Sequence, residues 1–366
     1  MKKLGFGLMR LPLLDKNDNG SIDIELTKKM VDTFMERGFT YFDTAWMYCK
    51  FNSERAIKEA LVDRYPRDSF TLTTKLHSAF IETKEDRDKV FNEQLEKTGV
   101  SYFDYYLIHD IEAPHYEKYT ELDCFNWIVE KKKAGLVKSI GFSFHDTPEL
   151  LDRVLTEHPE MEFVQLQINY LDWESENIQS RRCYEVARKH NKPIIVMEPV
   201  KGGTLALVPD SVEKLFKDYD ESASIPSWAI RFAASLDGVF MVLSGMSDMA
   251  QTLDNTGYMA DFKPLTAEEM AMVHKAGDMI RSHIEIPCTG CEYCLEGCPM
   301  NIAIPRYFEC YNTVKQGKSG ARGKYRELVK TFGKASECAE CGACESICPQ
   351  HLPIIENLKK VASKFE

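Results

Sequence analysis

Along the first 285 or so residues, apolar runs alternate with stretches of helical period. Short apolar runs with strand character fall at residues 4–11, 40–43, 70–75, 103–109, 139–142, 163–168, 193–197 and 239–243. Between them lie stretches with helical spacing of apolar positions, for example 25–36, 53–64, 86–97, 123–133 and 178–190. Each strand after the first comes beyond a connection long enough to hold a helix, which is what parallel strands need. Eight such units predict an α/β fold, a (β/α)8 TIM barrel, with the functional residues at the C-terminal ends of the strands. An open doubly wound sheet is the alternative. Its dinucleotide fingerprint would have to be Gly5-Phe6-Gly7, which lacks the third glycine.

Cysteine placement changes this picture. Of 12 cysteines, Cys49, Cys124 and Cys183 are scattered and the other nine lie between 288 and 348. The pattern therefore predicts two domains, 1–285 and 286–366. Net charge is -11, from 46 Lys and Arg against 57 Asp and Glu, and all of the excess acidity lies before residue 287. That balance argues against nucleic acid or an acidic membrane as partner. No run of 18 apolar residues occurs, and Arg10 and Asp15 interrupt the start before a signal-peptide core forms, so a cytoplasmic location is expected.

Four polar residues stand at or just beyond the ends of apolar runs: Asp43, Tyr48, Lys75 and His109. Singly, each has an ordinary explanation as a cap, a rim aromatic, a solvated cation or a satisfied strand-end imidazole. Together they suit carbonyl reduction, which needs a proton donor at the oxygen that becomes anionic. A tyrosine hydroxyl starts near pKa 10 and needs a neighbouring ammonium to lower it. An aspartate would hold that ammonium, and a histidine would orient or polarise the carbonyl.

The phrases around these residues are Gly38-Phe39-Thr40-Tyr41-Phe42-Asp43-Thr44-Ala45, Thr98-Gly99-Val100-Ser101-Tyr102-Phe103-Asp104-Tyr105-Tyr106-Leu107-Ile108-His109 and Lys133-Ala134-Gly135-Leu136-Val137-Lys138-Ser139-Ile140-Gly141-Phe142-Ser143. In this order they resemble the aldo/keto reductase superfamily across nearly all of the first 285 residues. The resemblance implies a TIM barrel, NADP or NAD as cofactor, and a catalytic tetrad on Asp43, Tyr48, Lys75 and His109. It places the nicotinamide amide against Ser143 and Gln167, with Phe144 where the family has an asparagine and Met197 where it has a stacking aromatic. Lys201, Gly202 and Gly203 would approach the pyrophosphate. Gly245, Gln251 and Asn255 match the adenosine-phosphate loop and helix, without the two cations that NADP-specific members often carry there, so NAD is open as well. Cys49-Lys50-Phe51-Asn52, after Tyr48, lacks the glycines common in the family at that loop.

The second domain repeats one phrase: Cys288-x2-Cys291-x2-Cys294-x3-Cys298-Pro299 and Cys338-x2-Cys341-x2-Cys344-x3-Cys348-Pro349. Evenly spaced triplets with a fourth cysteine before proline wrap iron-sulfur cubanes, whereas structural zinc favours paired C-x2-C and disulfides suit oxidising compartments. The tail resembles two-cluster 4Fe-4S ferredoxins, which implies two clusters: Cys288, Cys291, Cys294 and Cys348 on one, Cys338, Cys341, Cys344 and Cys298 on the other. Helical patterns at 304–315 and 324–332 favour a mainly helical ferredoxin-like domain, and Cys310 has no ligand role. The expected function is an NAD(P)H-dependent oxidoreductase acting on a small carbonyl or alcohol. A ferredoxin or flavoprotein would be the electron partner of the clusters. The alternatives are an electron-transfer adaptor or a redox sensor in which the barrel is mainly a scaffold.

Overall fold

The computed structural model describes residues 2–282, 284–315 and 320–366. All eight expected strands form: β1 Leu4–Gly7, β2 Tyr41–Asp43, β3 Thr71–His77, β4 Phe103–Ile111, β5 Val137–Phe144, β6 Phe163–Gln167, β7 Ile194–Met197 and β8 Val239–Gly245. They close in sequential order into a parallel barrel, β8 returning to β1 through Leu4↔Val242 and Gly7↔Gly245. Closure in chain order leaves no switch point, which excludes the open doubly wound sheet. Strand β1 is shorter than its apolar run because Leu8–Arg10 tightens into a single 3-10 turn. Strands β3 and β4 run past Lys75 and His109, to His77 and Ile111.

Local chemistry sets the helix ends. Asp23 accepts the Leu26 amide and starts the helix Ile24–Glu36. Thr83 and Asp86 cap each other's backbone at the start of Lys84–Thr98, which stops at Gly99 in the left-handed conformation; such caps contribute about 1 kcal/mol each. The pattern at 53–64 becomes the helix Ser53–Ile57 continued by a wider turn, Lys58–Val62.

Tyr41, Leu107, Phe163, Ile195, Met241 and Leu243 fill the lower and middle barrel, with Tyr105 and Phe240 packed against them. The Tyr105 and Phe163 rings meet edge-on at 5.2 Å. Gly141 on β5 makes room for this layer, because a Cβ there would lie 2.5 Å from the Phe163 carbonyl oxygen. Apolar filling of this kind, about 1.5–3 kcal/mol per large side chain, leaves the opposite strand ends for polar residues.

By internal packing the chain divides into two compact units. One comprises Met1–Glu174, Ile178–Pro199 and Ser227–Thr266; the other comprises Ser175–Asn177, Val200–Pro226 and Ala267–Glu366. The segment after β7 and the helix Ala267–Arg281 therefore group with the cysteine-rich tail. Within the second unit, Ile304–Lys315, Ala321–Leu328 and Ile354–Phe365 are helices around Tyr307, Phe308, Leu358 and Val361. The helix expected at 324–332 begins and ends earlier than its apolar pattern. Each cysteine run carries a one-turn helix, Tyr293–Glu296 and Ala343–Ser346, holding its third cysteine. The runs also share backbone conformation. Gly290 and Glu340, Glu292 and Gly342, and Asn301 and His351 all have positive φ, so the repeat places its glycine at different points of the same turn.

Candidate active site and cysteine cavities

Strand β3 carries Lys75 into the barrel, where it is 1% exposed. Its ammonium donates to Asp43 Oδ1 at 2.5 Å and to the Thr44 carbonyl at 2.7 Å, and lies 5.0 Å from the centre of the Tyr48 ring. Burial pulls the Lys75 pKa down and pushes the Asp43 carboxyl up, and the contact between them opposes both shifts. The His109 ring meets Tyr48 edge-on at 6.1 Å. Burial first, then His77 and Lys75, holds His109 well below the usual imidazole range, so it is neutral near pH 7. The structure thus gathers Asp43, Tyr48, Lys75 and His109 at one end of the barrel.

The segment after Tyr48 is held in an unusual backbone conformation. Cys49, Lys50 and Phe51 have φ of 52°, 52° and 66°, where the family's glycines would be at ease. Tertiary contacts fix it: Cys49 is buried beside the Leu8 carbonyl, and the Phe51 ring packs edge-on against Phe80 at 5.5 Å. Trp46 joins them, giving the site one aromatic wall.

Several residues here were not singled out in the sequence. Glu54 is buried, accepts from Thr74 Oγ1 at 2.7 Å and Gln94 Nε2 at 2.9 Å, and adds a second carboxylate near Lys75. Strand β4 is irregular between Ile108 and Ile111, where Asp110 takes φ 57° and its amide donates to Ser143 Oγ at 2.7 Å. This bulge turns Asp110 into a group of imidazoles: His77 Nε2 at 3.4 Å, His115 Nδ1 at 3.7 Å and His145 Nε2 at 3.7 Å. Burial pushes its carboxyl up, but His145, His77 and His109 together hold it well below the usual range. His77, Asp110 and His115 have the makeup of a metal site, but their hydrogen bonds argue otherwise. The Ala79 amide donates to His77 Nδ1, which leaves the proton on Nε2, and His115 Nδ1 donates to the Asp110 carbonyl at 2.6 Å. Both nitrogens facing the carboxylate carry hydrogen and have no lone pair for a cation.

Residues expected to contact the cofactor divide between the two units. Ser143 and Gln167 are buried at the ends of β5 and β6, and Gln167 Nε2 donates to Asp172 at 3.1 Å. Met197 ends β7 directly beside Gln167. Asn255 ties its helix to β8 by donating to Ser244 Oγ at 2.8 Å, and Gln251 Oε1 accepts the Ser247 amide at 3.0 Å. Gly245 leaves space that Arg10 enters, since a Cβ there would stand 3.4 Å from Arg10 carbons. Arg10 also reaches Glu198 at 3.6 Å, which puts a cation at these strand ends. Buried polar atoms without a hydrogen-bond partner recur at this end of the barrel, on Asp43 Oδ2, His109 Nδ1, Asp110 Oδ1 and Glu198 Oε2. That residual capacity suits a polar ligand such as a dinucleotide and its substrate. Lys201, Gly202 and Gly203, by contrast, belong to the second unit.

In the second unit the cysteines meet in a crossed arrangement. One cavity is lined by Cys288, Cys291, Cys294 and Cys348; another is lined by Cys298, Cys338, Cys341 and Cys344. All are free thiols. Burial and the neighbouring sulfurs push the Cys294 thiol far up, and burial with Cys338 pushes Cys344 up to about 11. Thiols this crowded ionise readily only with a cationic group among them. Backbone amides already point at sulfur, Gly290 to Cys288 at 3.4 Å and Ile302 to Cys298 at 3.5 Å. Four thiols per cavity, apolar walls and amide donors to sulfur fit a 4Fe-4S cluster. Cys310 is buried in the helical core and lines neither cavity.

Residues 3–278 match the aldo/keto reductase family model. The chain belongs to the aldo/keto reductase family. Residues 287–352 match a 4Fe-4S dicluster domain. An aldo-keto reductase of Mycobacterium avium is 34% identical over 145 residues, 37% of this chain and 46% of that protein. The NAD/NADP-dependent indole-3-acetaldehyde reductase of Schizosaccharomyces pombe is 30% identical over 139 residues, 36% of this chain and 45% of that protein. The chain thus spans about half the length of the curated relatives it matches. Among solved structures, the holo aldo-keto reductase of Bacillus halodurans superposes with a TM-score of 0.61 at 22% identity, covering 75% of this chain and 91% of that one. An aldo/keto reductase from Klebsiella pneumoniae in complex with NADP and acetate gives 0.59 at 16% identity, covering 75% and 90%. At such identities the superpositions show the fold of this aldo/keto reductase. No helix among its described residues is long and apolar enough to cross a membrane.

Proposed function

We propose that residues 1–285 interconvert a small aldehyde or ketone and its alcohol, with Tyr48 as general acid and base, and that residues 286–366 hold two 4Fe-4S clusters for one-electron transfer. The observation that carries the first part is the Lys75 ammonium, held by Asp43 and Thr44 and set near the Tyr48 ring. A bound NADPH or NADH would supply the hydride. Asp43 holds Lys75, Lys75 eases proton release from Tyr48, and neutral His109 offers a hydrogen bond to orient the carbonyl. Ser143 and Gln167 would hold the nicotinamide amide, with Met197 beside it, and Arg10, Gly245, Gln251 and Asn255 the phosphate-bearing end. The crossed cysteine cavities support the second part, and an external ferredoxin or flavoprotein is the partner suited to one-electron exchange.

The test is Tyr48→Phe in the full chain. Aldehyde turnover should fall by about 10²–10⁴-fold while nicotinamide binding persists. Unchanged turnover would remove Tyr48 from the chemistry. Anaerobically prepared protein should carry about eight iron and eight sulfide, and stoichiometric zinc without iron would refute the clusters.

One observation favours the second reading, an electron-transfer adaptor with a scaffold barrel. The 201–203 loop, expected at the cofactor pyrophosphate, packs with the cysteine-rich unit. Failure of the full chain to bind either dinucleotide, with clusters present, would select that reading.

A further inference from the structure

The loop Lys201–Gly203 was expected to cradle a pyrophosphate, yet its close approach is to the cysteine-rich domain. Gly202 has φ 61°, and a Cβ on it would lie 1.8 Å from the carbonyl oxygen of Thr289. Thr289 belongs to the turn between Cys288 and Cys291 and lines their cavity. Lys201 also has positive φ, 47°, a conformation that a lysine keeps only when its surroundings impose it. Its side chain is 1% exposed, and Nζ lies 3.4 Å from Oε1 of Gln350. Gln350 follows Cys348 by two residues and lines the same cavity. Neither cavity has a charged residue in its lining. Among the described residues, the cation whose charge reaches the other cysteine group is Lys359, near Cys338, and it is exposed and paired with Glu340 at 2.9 Å.

The two cysteine groups therefore differ in the burial of the nearby lysine although their runs repeat: Lys201 is buried, whereas Lys359 is exposed and screened by water. We propose that Lys201 is a tuning residue for the cluster held by Cys288, Cys291, Cys294 and Cys348, a buried cation that favours its reduced form over that of the cluster held by Cys298, Cys338, Cys341 and Cys344. One-electron reduction adds a negative charge, and a cation in a poorly screened interior lowers the energy of that added charge. Lys201 acts through Gln350 and the Thr289 turn, so it is a positioning residue and not a ligand. An electron entering this domain would settle on the Cys288 side. The inference rests on the two-cluster reading proposed above.

The test is a redox titration of the full-length, anaerobically prepared protein, followed by electron paramagnetic resonance, with iron and sulfide counted in every sample. Cys341→Ser identifies the signal of the second cluster by moving it. In Lys201→Met with undiminished iron, the other signal should become harder to reduce by at least about tenfold, or 59 mV for one electron. Lys201→Arg should restore it. If Lys201→Met loses iron, Gln350→Glu provides the same reading by adding a negative charge beside the cavity, and should move the same signal in the same direction. Full iron with no shift, or a shift confined to the Cys341-sensitive signal, overturns the role of Lys201. Wild-type protein with no iron overturns the two-cluster reading, and this inference with it.

Discussion

Lys75→Met gives the sharpest test of the active-site argument, because it removes a charge while keeping most of the stem. Asp43 and Lys75 are both almost fully buried, and breaking a buried pair typically costs about 3–5 kcal/mol. The variant can limit that cost by protonating Asp43, whose carboxyl burial already pushes up. Starting from an unfolded carboxyl near pKa 3.9, taking up the proton costs about 4 kcal/mol at pH 7 and about 1.5 kcal/mol at pH 5. A carboxyl raised in the folded state stabilises fully below its unfolded pKa, and that contribution is lost as pH rises towards the folded value. The deficit of Lys75→Met against wild type should therefore grow from pH 5 to pH 7, by about 2–3 kcal/mol in denaturant unfolding. Adding Asp43→Asn should flatten this dependence and recover stability without recovering activity.

Turnover of Lys75→Met at pH 7 should fall by about 10²-fold or more, since Tyr48 loses the neighbouring ammonium that eases its proton transfer. Alcohol oxidation, which needs Tyr48 deprotonated, should then recover in part as pH approaches 10, and Tyr48→Phe should show no such recovery. Turnover within about threefold of wild type, or a stability deficit that does not change with pH, would refute the assigned roles of both residues.

Three further outcomes are expected. Gly202→Ala combines a clash with the Thr289 carbonyl and a left-handed backbone, so it should destabilise by about 3 kcal/mol or more and lower iron content; Gly203→Ala, with open space at its Cβ, should cost only about 1–2 kcal/mol in thermal unfolding. Burial, Asp110 and Asp146 push the Glu112 carboxyl up to about 8, so its contribution is lost as pH rises from about 4 through about 8, and Glu112→Gln should melt higher than wild type above pH 8 but not at pH 5. Titration of the full chain with NADP and NAD should show a preference below about tenfold, or 1.4 kcal/mol, because Gly245 and Gln251 supply no cation for a 2′-phosphate; a hundredfold preference for NADP would assign that role to other cations, with Arg10 the first to test.

What the sequence determined by itself is what depends on short range. Short apolar runs set between helix-period stretches specified eight strands, and each connection was long enough to require a crossover, so the barrel was legible before any contact was known. Asp43, Lys75 and His109 were legible as polar breaks at the ends of those runs. Metal ligation is equally local, because three thiols spaced by two residues wrap one site whatever surrounds them, and the crossed fourth cysteine came with the resemblance to two-cluster ferredoxins. Tertiary structure alone decided features whose causes lie on different elements. The β4 bulge depends on a hydroxyl from β5, and the imidazoles around Asp110 come from β3 and from segments after β4 and β5. Arg10, just past β1, occupies the space that Gly245 leaves at the end of β8. The loop Lys201–Gly203 shows the limit most plainly. Two glycines and a lysine after a barrel strand read as a phosphate cradle, because glycine permits close approach without naming what approaches. Here it is the Thr289 backbone, a partner that only long-range packing could choose.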